Sequence, residues 1–192
     1  MGRAPGVRGP PGFPACRTLR APVVPGLAPR KLEAHHLAEE RPMHDRSLSL
    51  SELVGTWRLR SWDSVFDDGS AGHIMGESPV GVIVYTADGT MIVTISAAGR
   101  PPIDGNDPLG GPDEQRLAAM GTFLAYSGTY HLDGSDVIHD VAISFYPNWV
   151  GGSQRRHAAL SDNGRTLTLS TDPIVAGGRS STQRLVWDRV SY

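Results

Sequence analysis

The sequence reads as all-β: an antiparallel sheet of eight or nine short strands curled into a barrel, with one short helix near 112–123 and a disordered N-terminal leader. Three observations carry that reading. Apolar and polar residues alternate with period two through most of the chain beyond residue 53, the signature of half-buried strands. Asp88-Gly89, Gly134-Ser135 and Asn163-Gly164 fall between alternating runs at hairpin spacing. Helical spacing sustained over several turns appears in one stretch only. So many short antiparallel strands tend to close on themselves, which removes exposed edges.

Element by element, Ser49-Leu50-Ser51-Glu52 is a capping-box pattern that predicts one helical turn leading into the first strand. In residues 54–62, Trp57 and Leu59 take one face and Arg58 and Arg60 the other, and a short strand is expected near 66–74. Residues 80–97 form a hairpin; a two-residue type I′ turn at Asp88-Gly89 places Ile83 opposite Thr94 and Tyr85 opposite Ile92. Gly, Pro and Asp make 98–112 a loop. In 112–123 the acids come first and Leu117, Met120 and Leu124 succeed them at helical spacing, so a helix of about three turns is predicted. The runs 126–132 and 137–145, then 154–160 and 165–171, read as two hairpins, and 180–190 as the closing strand.

The first 42 residues differ in kind. They hold seven Arg or Lys against three acids, with eight prolines and five glycines, while the whole chain has a net charge of −2. Such a segment buries too little apolar surface to offset the entropy of ordering, so 1–42 is expected to be disordered and 43–192 to form one domain. The leader has no continuous apolar core of a secretory signal, and its prolines break the helix a transit peptide needs. Met43 stands directly before the orderly part, so a start there is an alternative to Met1. The single Cys16 excludes an intramolecular disulfide and a cysteine-based metal site. A cytoplasmic setting fits best. The charge balance gives no reason to expect nucleic acid or a membrane as partner, and no run is long enough to span one.

Site chemistry concentrates in 137–156. Val137, His139, Val141, Ile143 and Phe145 share one strand parity, which puts His139 on the apolar face. A buried imidazole needs hydrogen-bond partners. It is either a satisfied core histidine or a polar anchor in a ligand cavity. Hairpin register sets Tyr130 opposite His139, Gly128 opposite Val141 and Tyr126 opposite Ile143. It also pairs Leu160 with Leu167, Ala158 with Leu169 and Arg156 with Thr171. The inward polar set is therefore Tyr126, Tyr130, His139, Gln154 and Arg156, the form a small-molecule site takes. Trp149, in Pro147-Asn148-Trp149, caps the core or the cavity mouth. His131 and His157 have the outward parity, which argues against a three-histidine metal site. No phosphate-cradling glycine loop, HExxH pair or nucleophile elbow is present, so no metal or cofactor is assigned. Asp67, Asp68, Asp104 and Asp107 are solvated turn formers.

Leu53-Val54-Gly55-Thr56-Trp57-Arg58-Leu59, Pro79-Val80-Gly81, Tyr85-Thr86-Ala87-Asp88-Gly89, Ala125-Tyr126, Gly128-Thr129-Tyr130, Pro147-Asn148-Trp149 and Leu185-Val186-Trp187-Asp188-Arg189 occur in this order. Together they resemble the bacterial and fungal lipocalin-like domain family over roughly 50–190. Gly55-x-Trp57 with Arg189 on the last strand also resembles the wider calycin signature. The resemblance implies an up-and-down β-barrel around an apolar cavity. One end would be closed by Trp57 with the basic Arg189 across it. It does not fix an activity, since such barrels bind, carry or transform small molecules.

Two functions remain. One is binding of a hydrophobic or amphipathic small molecule. The other is a cofactor-free cyclase or isomerase of a polyketide- or terpenoid-like substrate, with His139 and Tyr130 as candidate catalytic residues. A barrel acting only as a protein-interaction module would have a filled core. Whether the chain is an enzyme is undecided from the sequence, as is its oligomeric state. Binding leads because no second group is matched to His139 for proton transfer. One test concerns the leader: a chain beginning at Met43 should keep the melting temperature and solubility of the full chain. A melting point lower by several degrees would show that the leader packs on the domain.

Overall fold

The structure, a computed structural model, describes residues 48–190. The expectations for the leader 1–42, Cys16 and the Met43 start lie outside the described residues. The strands are β1 (Gly55–Phe66), β2 (Ala71–Gly72), β3 (Val80–Tyr85), β4 (Thr90–Ser96), β5 (Phe123–Asp133), β6 (Asp136–Ser144), β7 (Ser153–Ser161), β8 (Thr166–Ser170), β9 (Ile174–Ala176) and β10 (Arg179–Arg189). Eight of them run in the order β1-β3-β4-β5-β6-β7-β8-β10, and β10 pairs back onto β1, closing an antiparallel barrel. The two-residue β2 and three-residue β9 are additions on the margins of β1 and β10. Among the described residues no helix is long and apolar enough to cross a membrane.

The sequence pattern explains most of this. Ser49 caps α1 (Leu50–Leu53), its backbone N–H donating to the Glu52 carboxylate at 3.0 Å as a capping box requires. Trp57 and Leu59 of β1 are buried while Arg58 and Arg60 are exposed. The ladder with β10 then slips at Arg60, and beyond the bulge Trp62 and Ser64 take the inward positions.

Three expectations are corrected. In the first hairpin, Ile83 pairs with Val93 and Tyr85 with Met91, one residue away from the expected register. The reason is the turn. Asp88 does not have the positive φ a type I′ turn demands; only Gly89 does, at 87°. Thr86 and Thr90 bracket a three-residue loop, with the Thr86 N–H donating to the Thr90 carbonyl at 2.9 Å. The odd loop length shifts the register.

Second, Ile143 and Phe145 are exposed, at 70% and 38%, although Val137, His139 and Val141 are buried as their parity predicts. Gly128 does pair with Val141 and Tyr130 with His139, but Tyr126 pairs with Ser144, so Ala142 is a bulge that reverses the parity of the residues beyond it. A Cβ on Gly128 would lie 1.9 Å from the Asp140 carbonyl oxygen, so glycine is required at this crossing.

Third, α2 (Asp113–Met120) is an eight-residue helix with no buried residue, and Leu117 and Met120 are exposed. It stops because Phe123 and Leu124 are recruited to β5, where Phe123 pairs with Ser96. The last hairpin keeps its expected register, Leu160 with Leu167 and Ala158 with Leu169. Its loop is longer than Asn163-Gly164 alone, but four residues shift the pairing no more than two do.

At the closed end, the Arg189 guanidinium lies 4.0 Å above the Trp57 ring. It donates to the carbonyls of Glu52, Val54 and Gly164, and the Trp57 indole N–H donates to the Leu53 carbonyl at 2.8 Å. Trp57→Ala should cost about 3–5 kcal/mol of stability as a core truncation. Arg189→Lys should cost about 1–3 kcal/mol, because a compact ammonium cannot serve three carbonyls while lying flat on a ring. Urea denaturation checks both, and a neutral Arg189→Lys would show that the planar fork is not what closes this end.

Candidate functional site

Beyond the end sealed by Trp57 the barrel holds a partly open cavity of about 230 Å³. Its apolar wall comes from inward positions of β3, β4, β8 and β10, including Ile83, Val93, Leu169 and Leu185, and three indoles, Trp62, Trp149 and Trp187, also face it. A broader, more open depression of about 390 Å³ lies on the side of the barrel around Arg58, Gly81 and Ile95. It is where β1 and β3 part beyond the Arg58–Val82 pair, and its polar lining is Arg58, Thr94 and Ser96.

His139 is the polar centre of the cavity. It is fully buried on β6, and both ring nitrogens are engaged: Nε2 with the Tyr85 hydroxyl at 2.7 Å and Nδ1 with the Tyr126 hydroxyl at 2.9 Å. Burial pushes its pKa down to about 3, and the nearby charge of Arg156 acts in the same direction. The imidazole is therefore neutral at ordinary pH, with one nitrogen donating and the other accepting. Burial likewise raises the Tyr85 pKa well above its ordinary value, so that hydroxyl stays protonated. Tyr130 packs against Tyr85 with the rings tilted by 56° and their centroids 4.7 Å apart.

Of the residues the sequence brought forward, Tyr126, His139, Arg156 and Trp149 line the cavity. Trp149 sits on a 3₁₀ turn, Pro147–Trp149, with its ring edge-on to Tyr126 at 5.4 Å. Arg156 donates to the Arg155 carbonyl at 2.8 Å and, among the described residues, has no carboxylate partner. Tyr130 does not line the cavity; its hydroxyl donates to the Thr86 carbonyl at 2.8 Å. Gln154, half-buried, pairs with His139 in the ladder but is also off the cavity wall. His131 and His157 face outward, His131 against Asp140 at 3.0 Å and His157 between Asp136 at 2.9 Å and Asp172 at 3.1 Å. Among the described residues no three His, Cys, Asp or Glu gather as a metal site.

Sequence reasoning missed Tyr85 and a second polar cluster on the opposite wall. Gln183 is buried, its carbonyl accepting from the Trp62 indole and the Ser64 hydroxyl, both at 2.7 Å, and its amide donating to Ser181 at 2.6 Å. The signal was present for Gln183, which shares the parity of Leu185 and Trp187. It was absent for Ser64, whose inward position depends on the bulge at Arg60. Trp187 adds an anomaly: its indole N–H is buried and has no partner among the described residues.

Comparison with known proteins adds two findings. A family profile described as lipocalin-like domain matches residues 54–190. A 4'-hydroxy-3'-methoxypropiophenone carrier protein of Aspergillus oryzae (strain ATCC 42149 / RIB 40) is 34% identical over 109 residues, covering 52% of this chain and 96% of the relative.

The His139 environment predicts a pH dependence of stability. Its pKa is lower folded than unfolded, so the unfolded chain takes up the proton first. This contribution is full above about pH 6.5 and is lost as pH falls toward about 3, with a limiting slope of about 1.4 kcal/mol per pH unit. His157 runs the other way, because Asp136 and Asp172 raise its pKa. Between about pH 7.5 and about pH 5, wild type should therefore lose roughly 1–2 kcal/mol more than His139→Leu in urea titrations. Equal losses would show that His139 is not held neutral.

Proposed function

The chain belongs to the lipocalin-like domain family, and from that premise we propose that its barrel binds and carries, unchanged, a small, largely apolar molecule of about one substituted aromatic ring. The observation that carries this is the cavity within the barrel, with its three indoles, apolar wall and few convergent polar groups. Its size sets the ligand class: a cavity of ~150 Å³ accommodates benzene, so about 230 Å³ leaves room for a ring with modest substituents. The relative named for carrying an aryl ketone supports the same scale.

Carriage is preferred to cyclisation or isomerisation because of His139. A general base works best with a pKa near the operating pH. An imidazole lowered to about 3, with both nitrogens already bonded to tyrosines, is poorly matched to that task. Tyr130, the other candidate catalyst, has its hydroxyl committed to a backbone carbonyl.

Trp62, Trp149 and Trp187 provide the readout. Titration with 4'-hydroxy-3'-methoxypropiophenone should quench their fluorescence saturably, with one site per chain and a Kd in roughly the micromolar range for a ligand this small. Mass spectrometry should recover the compound unchanged after prolonged incubation. Conversion would favour the enzyme, and no saturable quenching by this compound or simpler aryl ketones would remove the cavity as a ligand site.

A further inference from the structure

The hydrogen-bond directions around His139 can be worked out, and they say what the ligand must offer. Tyr85 is 1% exposed, and its hydroxyl has the His139 Nε2 as its one partner among the described residues. If Nε2–H donated to Tyr85, the tyrosine's own proton would be buried with no acceptor. An orphaned buried donor is rarer and costlier than an unfilled lone pair. The Tyr85 O–H therefore donates to Nε2, which places the imidazole proton on Nδ1. Nδ1–H then donates to the Tyr126 oxygen. The Tyr126 proton is left over, and Tyr126, unlike Tyr85, lines the cavity.

The rest of the wall has the same polarity. Arg156 is a cation with no carboxylate partner among the described residues, and neither Asp nor Glu lines the cavity. Across it, the Gln183 carbonyl already accepts two hydrogen bonds, while the Trp187 N–H has no acceptor at all among the described residues. Apart from the Thr171 hydroxyl, which accepts from the Gln183 backbone N–H at 3.1 Å, the free polar groups are donors.

Resting on the reading that this cavity binds a small molecule, we infer that its ligand carries a carbonyl-type acceptor oxygen, taken by the Tyr126 hydroxyl in the cavity that Arg156 also lines, with Tyr85 and His139 as positioning residues that turn the Tyr126 proton toward it. Ammonium ligands are disfavoured on the same grounds, since they meet the like charge of Arg156 and no carboxylate.

Two measurements test this on the full chain. Imidazole nitrogen chemical shifts from NMR should show His139 protonated on Nδ1; protonation on Nε2 overturns the relay. Three probes of similar size then test the ligand: acetophenone, α-methylstyrene (methylene in place of the carbonyl oxygen) and α-methylbenzylamine. Acetophenone should bind roughly three- to ten-fold tighter than α-methylstyrene, the worth of one hydrogen bond net of desolvation. Tyr126→Phe should abolish that preference, so that acetophenone and α-methylstyrene bind the variant equally. The amine should bind weakest and recover in part in Arg156→Met. Equal binding of ketone and alkene by wild type overturns the acceptor inference but leaves the cavity a binding site. Failure of all three to bind overturns both.

Discussion

The barrel rests on the meeting of its two ends at Arg189 and Trp57. An eight-stranded antiparallel sheet left open would present β1 and β10 as edges, with unpaired backbone groups and no enclosed interior. Their closure is fixed by one guanidinium that lies on an indole and serves three carbonyls from two segments: Glu52 and Val54 at the end of α1, and Gly164 in the β7–β8 loop. Its planar fork can do this; a point charge cannot. The sequence makes room for it at Gly55, which has a φ of 138°, and a Cβ there would lie 3.0 Å from the Arg189 Nη1. Capping turn, glycine, Trp57 and Arg189 are one device for sealing a barrel at one end.

Sealing that end decides where function can go. With Trp57 and Leu53 wholly buried beneath it, the remaining space lies between the seal and the opposite loops. The buried polar clusters stand against this space: His139 with its two tyrosines on one wall, Gln183 with Trp62, Ser64 and Ser181 on the other. An unpaired imidazole or amide in such a place would cost several kcal/mol. Each is tolerated because the neighbouring strands supply partners at hydrogen-bond distance. The outward histidines are handled differently: they face aspartates in water, where pairing is worth little.

How much of this could be read from the chain depends on the reach of strand parity. Parity alone placed His139, Arg156 and Tyr126 inward and His131 and His157 outward, because an even number of turn residues preserves register whether the loop has two or four. The same argument failed at Tyr85, where the loop has three residues, and the histidine's second partner was lost with it. Bulges are the other limit. Nothing in Ala142 announces that it is skipped, yet that skip turns Ile143 out to solvent. Its one trace is Gly128, which alone permits the close crossing, and a glycine within a strand marks bends and close ligand approaches as readily as bulges. Gln183 was legible from its parity with Leu185 and Trp187, but a lone amide at the end of an apolar run reads more readily as strand edge. The seal was legible through the resemblance of Gly55-x-Trp57 and Arg189 to the calycin signature, not through parity, and the β1–β10 ladder pairs Trp57 with Arg189.

Affinity and selectivity come from different parts of the same wall. An aromatic ring buries on the order of 150–250 Å² and, at about 25 cal/mol per Å², gains roughly 4–6 kcal/mol before the costs of association. A single neutral hydrogen bond adds only about 0.5–1.5 kcal/mol net. The indoles and branched side chains therefore supply most of the holding energy, and they accept any body of suitable size. Discrimination needs a group whose mismatch is expensive, and a buried donor that finds no acceptor is such a group. That makes fixing the direction of one proton more consequential than adding contacts. A histidine kept neutral by burial and spanned by two hydroxyls can transmit that direction from the sealed core, where Tyr85 has no freedom to turn, to the cavity, where Tyr126 meets whatever enters.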